Sequence, residues 1–385
     1  MTTSKKIIYL DQAATSFPKA SPVMEAVSNF LLNIGANPGR SAHSLSIKAA
    51  HILYEARRSI AEFIGASDSR NVIFMQNATM ALNLALLGFL KVNDEVVITS
   101  MEHNSVMRPL RSLEQERHIV IKRVRANAQG YVSPDEVANT VSKKTRLVVV
   151  NHVSNVTGTI QPLTQIRDAA GYIPLLVDAA QSAGHIPLNV EQDGIDMLAF
   201  SGHKGLLGPP GTGVLYVRPG FEIEPLITGG TGSGSESIEQ PDFMPDRFES
   251  GTQNSCGIAG LGAAVRWLME QGIDSIRKTE HRYAVQLYEG LSVIKGLTLY
   301  GPELTDDRLP IFAFTIKEIP IHEIALRLDR DFGIMVRVGL QCAPEAHRTI
   351  GTFPTGTVRL SAGHLNTAEE IDYAIKAIRN VASGK

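Results

Sequence analysis

Phe200-Ser201-Gly202-His203-Lys204 is the stretch of sequence that decides the fold, because it carries a lysine directly off the end of an apolar strand. The run before it, Asp196-Met197-Leu198-Ala199-Phe200, has the length and composition of a buried strand. Upstream, Pro174-Leu175-Leu176-Val177 shows the same pattern and ends in Asp178. An acidic and a basic side chain therefore follow two successive predicted strands.

Apolar runs of strand length alternate with helical patterns between residues 72 and 217. The predicted strands are 72–75, 95–99, 119–124, 147–151, 174–178, 196–200 and 213–217, and the predicted helices are 79–90, 106–117, 134–141 and 162–170. This alternation predicts an α/β fold with a mainly parallel seven-stranded sheet between two layers of helices. Ligands of such sheets bind beyond the carboxyl ends of the strands, where Asp178 and Lys204 fall.

The pattern changes after residue 217. Residues 229–251 are rich in Gly, Ser, Pro and acidic residues and form an excursion too long to be an idle connection. We expect a helix at 258–269, and a longer helix capped by Asp274 that runs towards Leu291. The remainder mixes predicted strands (311–316, 357–360) with predicted helices (321–329, 368–382). The chain therefore divides into a large domain, residues 16–272, and a smaller α+β domain made of residues 1–15 and 273–385.

The composition of the 385 residues excludes several classes of protein. Hydrophobic residues make up 43% and charged residues 20%, and the net charge is −2, so no general attraction to nucleic acid or to an anionic membrane is expected. No apolar stretch reaches membrane-spanning length. The two cysteines form no disulfide framework and no zinc-site spacing. A reducing cytoplasm is the expected location.

The pairing of Lys204 with Asp178 points to pyridoxal phosphate (PLP) as the cofactor. A lysine amine can hold the PLP aldehyde as a Schiff base, and a carboxylate can keep the ring nitrogen protonated so that the ring accepts electrons. Most lysines are solvated surface charges, but this one follows a buried strand and precedes the rigid turn 205–213. A lone strand-end aspartate is equally explained as a helix N-cap, so the prediction depends on the pair.

Other polar residues at predicted strand ends can contact the same cofactor. His103 can stack on the ring, although an ordinary loop histidine is the simpler explanation. Gln181 can donate a hydrogen bond to the ring oxygen. Asn77-Ala78-Thr79 opens a helix and can offer N–H groups and a hydroxyl to the phosphate, or only cap the helix. Ser201 and His203 can add donors to that phosphate.

Two further features call for separate interpretations. The glycine-rich run 229–234 has neither the lysine of a P-loop nor the spacing of a dinucleotide fingerprint, so a flexible loop near the active site is the better hypothesis. Cys342 lies in a polar segment with Arg337, His347 and Arg348 near it in the sequence, and cationic neighbours favour the nucleophilic thiolate. A small buried hydrophobe is the alternative for a lone cysteine. We assign a structural role to Cys256, although the N-terminus of the helix it begins could also activate its thiol.

These motifs resemble the fold-type I PLP enzymes of the class V aminotransferase superfamily, nearest to the cysteine desulfurases and selenocysteine lyases. The resemblance rests on Val177-Asp178-Ala179-Ala180-Gln181, on Ser201-Gly202-His203-Lys204 and on Arg337-x-Gly339-x-x-Cys342-Ala343, and extends from residue 9 to residue 361. It implies PLP as cofactor, a homodimer with PLP near the subunit interface, and L-cysteine or L-selenocysteine as substrate. It also implies a possible sulfur-acceptor protein as partner.

The resemblance assigns a role to each matching residue. Catalysis falls to Lys204, Cys342 and His103, with Cys342 as the persulfide-forming cysteine. The PLP contacts are Ala78, Thr79, His103, Asp178, Gln181, Ser201, His203 and Lys204 of one subunit, with Thr252 lent to the phosphate of the partner. Asn155, Arg337 and Arg359 match the substrate side.

The chain also departs from the family pattern. Ala78 replaces a hydroxyl residue common in the phosphate motif, and Gln341 precedes the cysteine where related enzymes often have histidine. The leading hypothesis is a desulfurase that releases L-alanine and leaves sulfur on Cys342. Selenocysteine lyase, a class V aminotransferase or epimerase, and a non-catalytic persulfide carrier are the alternatives.

Overall fold

The computed structural model describes residues 7–39, 43–303 and 308–384. The strands of these ranges are β1 (Ile8–Tyr9), β2 (Val72–Met75), β3 (Glu95–Thr99), β4 (Val120–Val124), β5 (Thr145–Asn151), β6 (Leu175–Asp178), β7 (Met197–Ser201), β8 (Gly213–Val217), β9 (Leu297–Tyr300), β10 (Ile311–Ile316), β11 (Ile334–Met335), β12 (Arg337–Gly339) and β13 (Thr357–Ser361).

The α-helices of the same ranges are α1 (Ser21–Asn29), α2 (Ser44–Phe63), α3 (Ala78–Phe89), α4 (Asn104–Arg117), α5 (Pro134–Thr140), α6 (Leu163–Ala170), α7 (Ser255–Gln271), α8 (Ile273–Ser292), α9 (Ile321–Phe332), α10 (Pro344–Thr349) and α11 (Ala368–Ala382). A π-helical turn, Phe30–Ile34, continues α1. Within the described ranges, no helix combines the length and the apolar character needed to cross a membrane.

Seven strands form the larger sheet, in the order β2-β8-β7-β6-β5-β3-β4. β8 runs antiparallel to both of its neighbours, and the other pairs are parallel. Apolar side chains from both faces are buried against helices, with Val177 and Phe200 in one core and Leu176 and Ala199 in the other. Burial of both faces explains why these strands are continuous apolar runs rather than alternating ones.

A second, antiparallel sheet lies in the C-terminal part of the chain, in the order β12-β13-β10-β9. Its buried core includes Phe312, Phe314 and Leu360, which pack with residues of α8, α9 and α11. The N-terminal segment joins this unit, because β1 pairs in parallel with β11 and the amide of Ser361 donates to the carbonyl of Leu10 (2.8 Å).

The predicted α/β fold with its seven-stranded, mainly parallel sheet is confirmed, and each strand predicted between residues 72 and 217 is present to within two residues. The cap prediction for α8 is wrong: its N-cap is Gly272, and Asp274 lies inside the first turn. The sequence patterns also missed α1, α2, α10, β1, β9, β11 and β12. The domain boundary at residue 272 stays a prediction.

Candidate active site

A cavity of about 250 Å³ opens at the carboxyl edge of the larger sheet. It lies where β6 and β7 end side by side, with Asp178 paired to Ala199 in the parallel register. The residues that line it are Asn77, Ala78, Thr79, Leu82, His103, Ser105, Asn151, Asn155, Asp178, Ala180, Gln181, Ser201, His203 and Lys204. The structure therefore brings together most of the residues that were predicted for the cofactor.

Lys204 is held by a tight turn that follows β7. The amide of Gly208 donates to the carbonyl of Gly202 (2.7 Å), and the amide of Gly202 donates to the carbonyl of Thr212 (2.8 Å). A Cβ atom on Gly202 would lie 2.2 Å from Thr212 Oγ1, so only glycine allows this close approach. The Gly-rich sequence after the lysine therefore fixes the direction in which its backbone leaves the sheet.

The N-terminal segment supplies a second restraint on Lys204 that the sequence patterns missed. The carbonyl oxygen of His203 accepts hydrogen bonds from Ser16 N (2.9 Å), Ser16 Oγ (3.0 Å), Thr15 Oγ1 (3.1 Å) and Lys19 Nζ (2.9 Å). Burial lowers the pKa of Lys19 to about 8. Burial, with Lys204 and Lys19 nearby, lowers the pKa of His203 to about 4, so its ring is neutral at pH 7. The peptide before Lys204 is thus clamped from outside the sheet.

Asp178 and Lys204 face the same cavity from neighbouring strands. Burial raises the pKa of Asp178, while the 2.9 Å bond from the amide of Ala180 and the charge of Lys204 oppose that rise. Burial lowers the pKa of Lys204, and the charge of Arg359 lowers it further. Asp178 and Cys342 act in the opposite direction and raise it. Each group therefore stabilises the charged form of the other in a buried setting.

Gln181 ties the cavity to the N-terminal segment. Its Nε2 donates to the carbonyl of Ala13 (2.9 Å), and the residue is 4% exposed. One of the two N–H groups of this amide is therefore engaged. The second N–H and the amide oxygen of Gln181 remain to bind a ligand.

The N-terminus of α3 forms another part of the cavity wall. Asn77 caps the helix, because its side chain accepts from the amide of Met80 (3.0 Å), and this confirms the capping interpretation. The amide of Ala78 donates to Ser201 Oγ (3.0 Å), and Thr79 Oγ1 lies 2.7 Å from Ser105 Oγ. Two hydroxyl groups from other elements thus meet at the start of a twelve-residue helix, an arrangement suited to an anion.

His103 is the N-cap of α4, and its ring is oriented by this role. Its Nδ1 accepts from the amide of Ser105 (3.1 Å), which places the ring proton on Nε2. Burial, with Lys204, Arg108 and Arg359 nearby, lowers the pKa of His103 to about 4. A neutral, fixed ring therefore lines the cavity near Lys204.

The buried acid Glu102, next to His103, was not predicted. Its Oε1 accepts from Thr99 Oγ1 (2.7 Å) and from the amide of Asn151 (3.0 Å), whereas its Oε2 has no partner among the described residues. Burial raises the pKa of Glu102 to about 8, and the charge of Asp178 adds to the rise. Glu102 is therefore mostly protonated at pH 7.

The two arginines of the predicted substrate side share one carboxylate. Arg359 Nη2 donates to Asp11 Oδ1 (2.7 Å) and its Nη1 donates to the carbonyl of Asn155 (3.0 Å), while its Nε has no partner among the described residues. Arg337 donates to the same carboxylate from Nε (3.0 Å) and Nη2 (2.8 Å). Arg359 is 2% exposed, whereas half of the Arg337 side chain is exposed. Only Arg359 is thus buried beside the cavity.

Cys342 is exposed and sits in a strained turn. Gln341 and Cys342 have φ angles of +42° and +57°, and the amide of Ala343 closes the turn on the carbonyl of Leu340 (2.8 Å). The left-handed region costs a residue with a Cβ roughly 1–2 kcal/mol, so this turn needs outside support. His347, expected to act as a cationic neighbour, is instead fully buried, and burial lowers its pKa to about 4.

Four of the predicted site residues do not line the Lys204 cavity: Cys342, Thr252, Arg337 and Arg359. Thr252 is exposed and lines a separate surface cavity of about 550 Å³, together with Arg57 and Glu249. Cys256 lies in the first turn of α7, and its thiol is 3.4 Å from Asn254 Oδ1. A single chain therefore does not bring Thr252 to the predicted phosphate site.

Comparison with known proteins decides the family. The family model for aminotransferase class-V matches residues 8–374. The chain belongs to the aminotransferase class-V family. A probable cysteine desulfurase of Methanothermobacter thermautotrophicus is 37% identical over 97% of this chain and 94% of its own length. A probable cysteine desulfurase of Halalkalibacterium halodurans is 36% identical over 97% of this chain and 92% of its own length.

Solved structures agree with this assignment. The apo structure of a cysteine desulfurase from Thermococcus onnurineus superposes with a TM-score of 0.92 at 34% identity, covering 98% of this chain and 95% of that one. The cysteine desulfurase CsdA from Escherichia coli superposes with a TM-score of 0.87 at 26% identity, covering 97% and 94%. This class-V chain therefore lies in the cysteine desulfurase branch of its family.

Proposed function

We propose that the chain is a PLP-dependent cysteine desulfurase that converts L-cysteine into L-alanine and collects the sulfur as a persulfide on Cys342. The observation that carries the proposal is that Lys204 and Asp178 line one cavity, after the paired strands β7 and β6. Exposed Cys342 lies in a turn tied to that cavity, because Asn155, which lines the cavity, donates to the carbonyl of Gln341 (2.7 Å). A simple persulfide carrier needs neither the lysine nor the aspartate.

The residues around the cavity fit PLP at each of its functional ends. A phosphate suits the N-terminus of α3, where Thr79, Ser201 and Ser105 supply hydroxyl groups. Asp178 lies at the end of the neighbouring strand β6, where its carboxylate can pair with a protonated ring nitrogen. Lys204, which lines the same cavity, is the amine that would hold the aldehyde carbon. His103 provides a neutral ring in a fixed orientation that can stack against the cofactor.

Once bound, PLP would supply a ring that takes up negative charge from the Cα atom of an attached amino acid. Lys204 would take the proton from Cα, since burial lowers its pKa and so makes the neutral amine easier to reach. The donors on the carbonyl of His203 keep the backbone of Lys204 in place while its side chain moves.

Arg359 is the residue we assign to the substrate carboxylate. Two of its nitrogen atoms are held by Asp11 and by the carbonyl of Asn155, and the buried Nε still needs an acceptor. A buried donor without a partner is costly, so a carboxylate that binds there gains from satisfying it.

Cys342 would act in the sulfur-transfer step. Its thiolate attacks the sulfur atom of the bound cysteine, so that an S–S bond forms and the Cβ–S bond breaks. The electron pair of the broken bond stays with the carbon skeleton, which gains protons and leaves as alanine. Its sulfur remains on Cys342 as a persulfide, and an exposed position allows an acceptor protein or thiol to collect it.

We also propose that the enzyme works as a homodimer. Thr252 is exposed and lines a different cavity from the predicted phosphate site of the same chain, so a second subunit is needed for it to contribute. An apolar surface is available near the N-terminus: Met24, Leu31 and Leu32 are 57%, 60% and 81% exposed on α1 and the turn after it. Exposed apolar groups at neighbouring positions favour a protein–protein contact.

The decisive experiment is to incubate the PLP-loaded protein with L-cysteine and identify the products. We expect alanine, and a persulfide that peptide mapping locates on Cys342. The Cys342→Ala variant should still exchange the Cα proton of cysteine but release almost no alanine, whereas the control Cys256→Ala should retain both activities. Persulfide on Cys256, or normal desulfuration by Cys342→Ala, would contradict the proposal. Release of selenide from L-selenocysteine alone would favour the lyase alternative, and a keto-acid product would favour a transaminase.

A further inference from the structure

The turn that carries Cys342 is held in place by a buried hydrogen-bond chain. Gln341 Nε2 donates to the carbonyl of Thr357 (3.1 Å), so its Oε1 is free to accept, and it lies 2.8 Å from His347 Nε2. His347 Nδ1 in turn lies 2.7 Å from Thr352 Oγ1. His347 is fully buried, and Gln341 and Thr352 are each 8% exposed.

The direction of each bond in this chain follows from its chemistry. Gln341 offers an oxygen to His347, so the imidazole must carry its proton on Nε2 and leave Nδ1 as an acceptor. The hydroxyl of Thr352 therefore donates to Nδ1. Burial keeps the imidazole neutral at pH 7, since it lowers the pKa of His347 to about 4. The donor and the acceptor of each bond in this hydrogen-bond chain are thus fixed. Loss of the Thr352 hydroxyl would leave Nδ1 of His347 as a buried acceptor without a partner.

The same turn is also tied to the wall of the active site. Asn155 Nδ2 donates to the carbonyl of Gln341 (2.7 Å), and the amide of Asn104, next to His103, donates to the carbonyl of Cys342 (2.9 Å). These bonds hold the two peptide groups of the turn but leave the thiol exposed. The position of the thiol therefore depends on the left-handed backbone at Gln341 and Cys342, which glycine or asparagine would adopt more readily.

Given the proposed desulfurase function, on which this step rests, we infer that Gln341, His347 and Thr352 are positioning residues for sulfur transfer. Their hydrogen-bond chain keeps the turn in the left-handed conformation that presents the Cys342 thiol to the substrate sulfur. None of the three residues lines the Lys204 cavity, so the hydrogen bonds among them act on the Cys342 turn and not on the cofactor.

Thr352→Val tests this inference with a nearly isosteric change. Thr352→Ser keeps the hydroxyl and is the rescue variant, and Thr355→Val makes the same substitution at an exposed position three residues away. In cofactor-free protein, we expect hydrogen exchange at the amide of Ala343 to accelerate about tenfold in Thr352→Val, the scale of one lost hydrogen bond. The other two variants should stay within about twofold of wild type.

In the PLP-loaded enzyme, Thr352→Val should lower kcat for alanine release about tenfold, while KM for cysteine and the rate of Cα proton exchange stay within about twofold. Equal losses in proton exchange and alanine release would overturn the inference, as would wild-type kcat together with wild-type exchange at Ala343. If Thr352→Val does not fold, Gln341→Met removes both side-chain bonds at the turn and carries the same expectations. If the wild-type protein releases no alanine, the proposed function fails. Hydrogen exchange at Ala343 would still decide whether the hydrogen bonds of Gln341, His347 and Thr352 hold the turn.

Discussion

The carboxylate of Asp11 accepts a 2.7 Å hydrogen bond from Arg359, and this contact joins the segment that follows β1 to β13. Asp11 follows β1, and Arg359 lies in the middle of β13. The pair engages one nitrogen of the guanidinium, and the carbonyl of Asn155 engages another. The buried guanidinium is thus held at Nη1 and Nη2, and its Nε has no partner among the described residues.

This orientation predicts that the two arginines on Asp11 are not equivalent. Arg359→Lys should raise KM for L-cysteine about 10- to 100-fold, because an ammonium cannot reproduce the fixed fork of a guanidinium. Arg337→Lys should change KM by less than about threefold, since the Arg337 side chain is half exposed and already bonded to the carboxylate of Asp11. Steady-state kinetics of both variants provide the measurement. A larger KM effect for Arg337→Lys would reverse the assignment.

Lys204→Ala should abolish alanine release from L-cysteine. The variant loses both the covalent attachment of PLP and the base that moves the Cα proton, so the visible absorption of the lysine-bound cofactor should disappear as well. Absorption spectra and an alanine assay check the two effects. Persulfide formation from free cysteine by this variant would instead support the carrier alternative.

Asp178→Asn should retain PLP but slow the exchange of the Cα proton by at least about 100-fold. The neutral amide cannot stabilise a protonated ring nitrogen, although it has nearly the same shape as the carboxylate. Exchange into deuterated water, followed by mass spectrometry, gives the rate. Exchange at the wild-type rate would remove Asp178 from its assigned role.

The proposed homodimer should depend on the apolar surface around α1. A double variant, Leu31→Glu with Leu32→Glu, should shift the particle mass in light scattering from twice the chain mass to the 41.7 kDa of one chain. It should also weaken PLP binding, because Thr252 of the partner is lost. Val293→Glu, at a 72% exposed position elsewhere, should remain a dimer. A wild-type monomer with full PLP occupancy would contradict the proposal.

A second buried cluster, around Glu280 of α8, should control acid stability. Glu280 is fully buried and lies 2.8 Å from His185 Nδ1, and its Oε1 is 3.8 Å from His364 Nδ1. Burial on its own would raise the pKa of Glu280, but the two histidines outweigh burial and lower it from 4.5 to about 2. Its stabilising contribution is therefore complete above pH 4.5 and is lost as the pH falls towards 2.

Glu280→Gln should accordingly lower the melting temperature at pH 7. A folded pKa about 2.5 below the unfolded value corresponds to about 3 kcal/mol, which implies a fall on the order of 5 °C. The difference from wild type should narrow below about pH 4.5. The control Glu289→Gln, at an exposed position on the same helix, should melt like wild type at each pH. A constant difference down to pH 3 would show that the charge is not responsible.

Local sequence determined the central elements and their order. Strand and helix patterns between residues 72 and 217 depend on side-chain periodicity and on Gly and Asn at element ends, and both are local properties. Since parallel strands expose their carboxyl ends on one edge, the pattern also predicted that Asp178 and Lys204 lie close together, and the register of β6 and β7 agrees. The N-terminal helices were missed, as was the edge strand β12, whose burial pattern shows no buried residue.

Tertiary structure alone decided how those groups are held. The donors on His203 come from residues 15 to 19, nearly 190 positions away, and Glu280 meets His185 across 95 positions. His347 was expected to be a cation because it lies near Cys342 in the sequence. Burial instead keeps its imidazole neutral, and the ring hydrogen-bonds to the side chain of Gln341. Contacts and burial of this kind depend on which surfaces the folded chain brings together, and neither composition nor spacing contains that information.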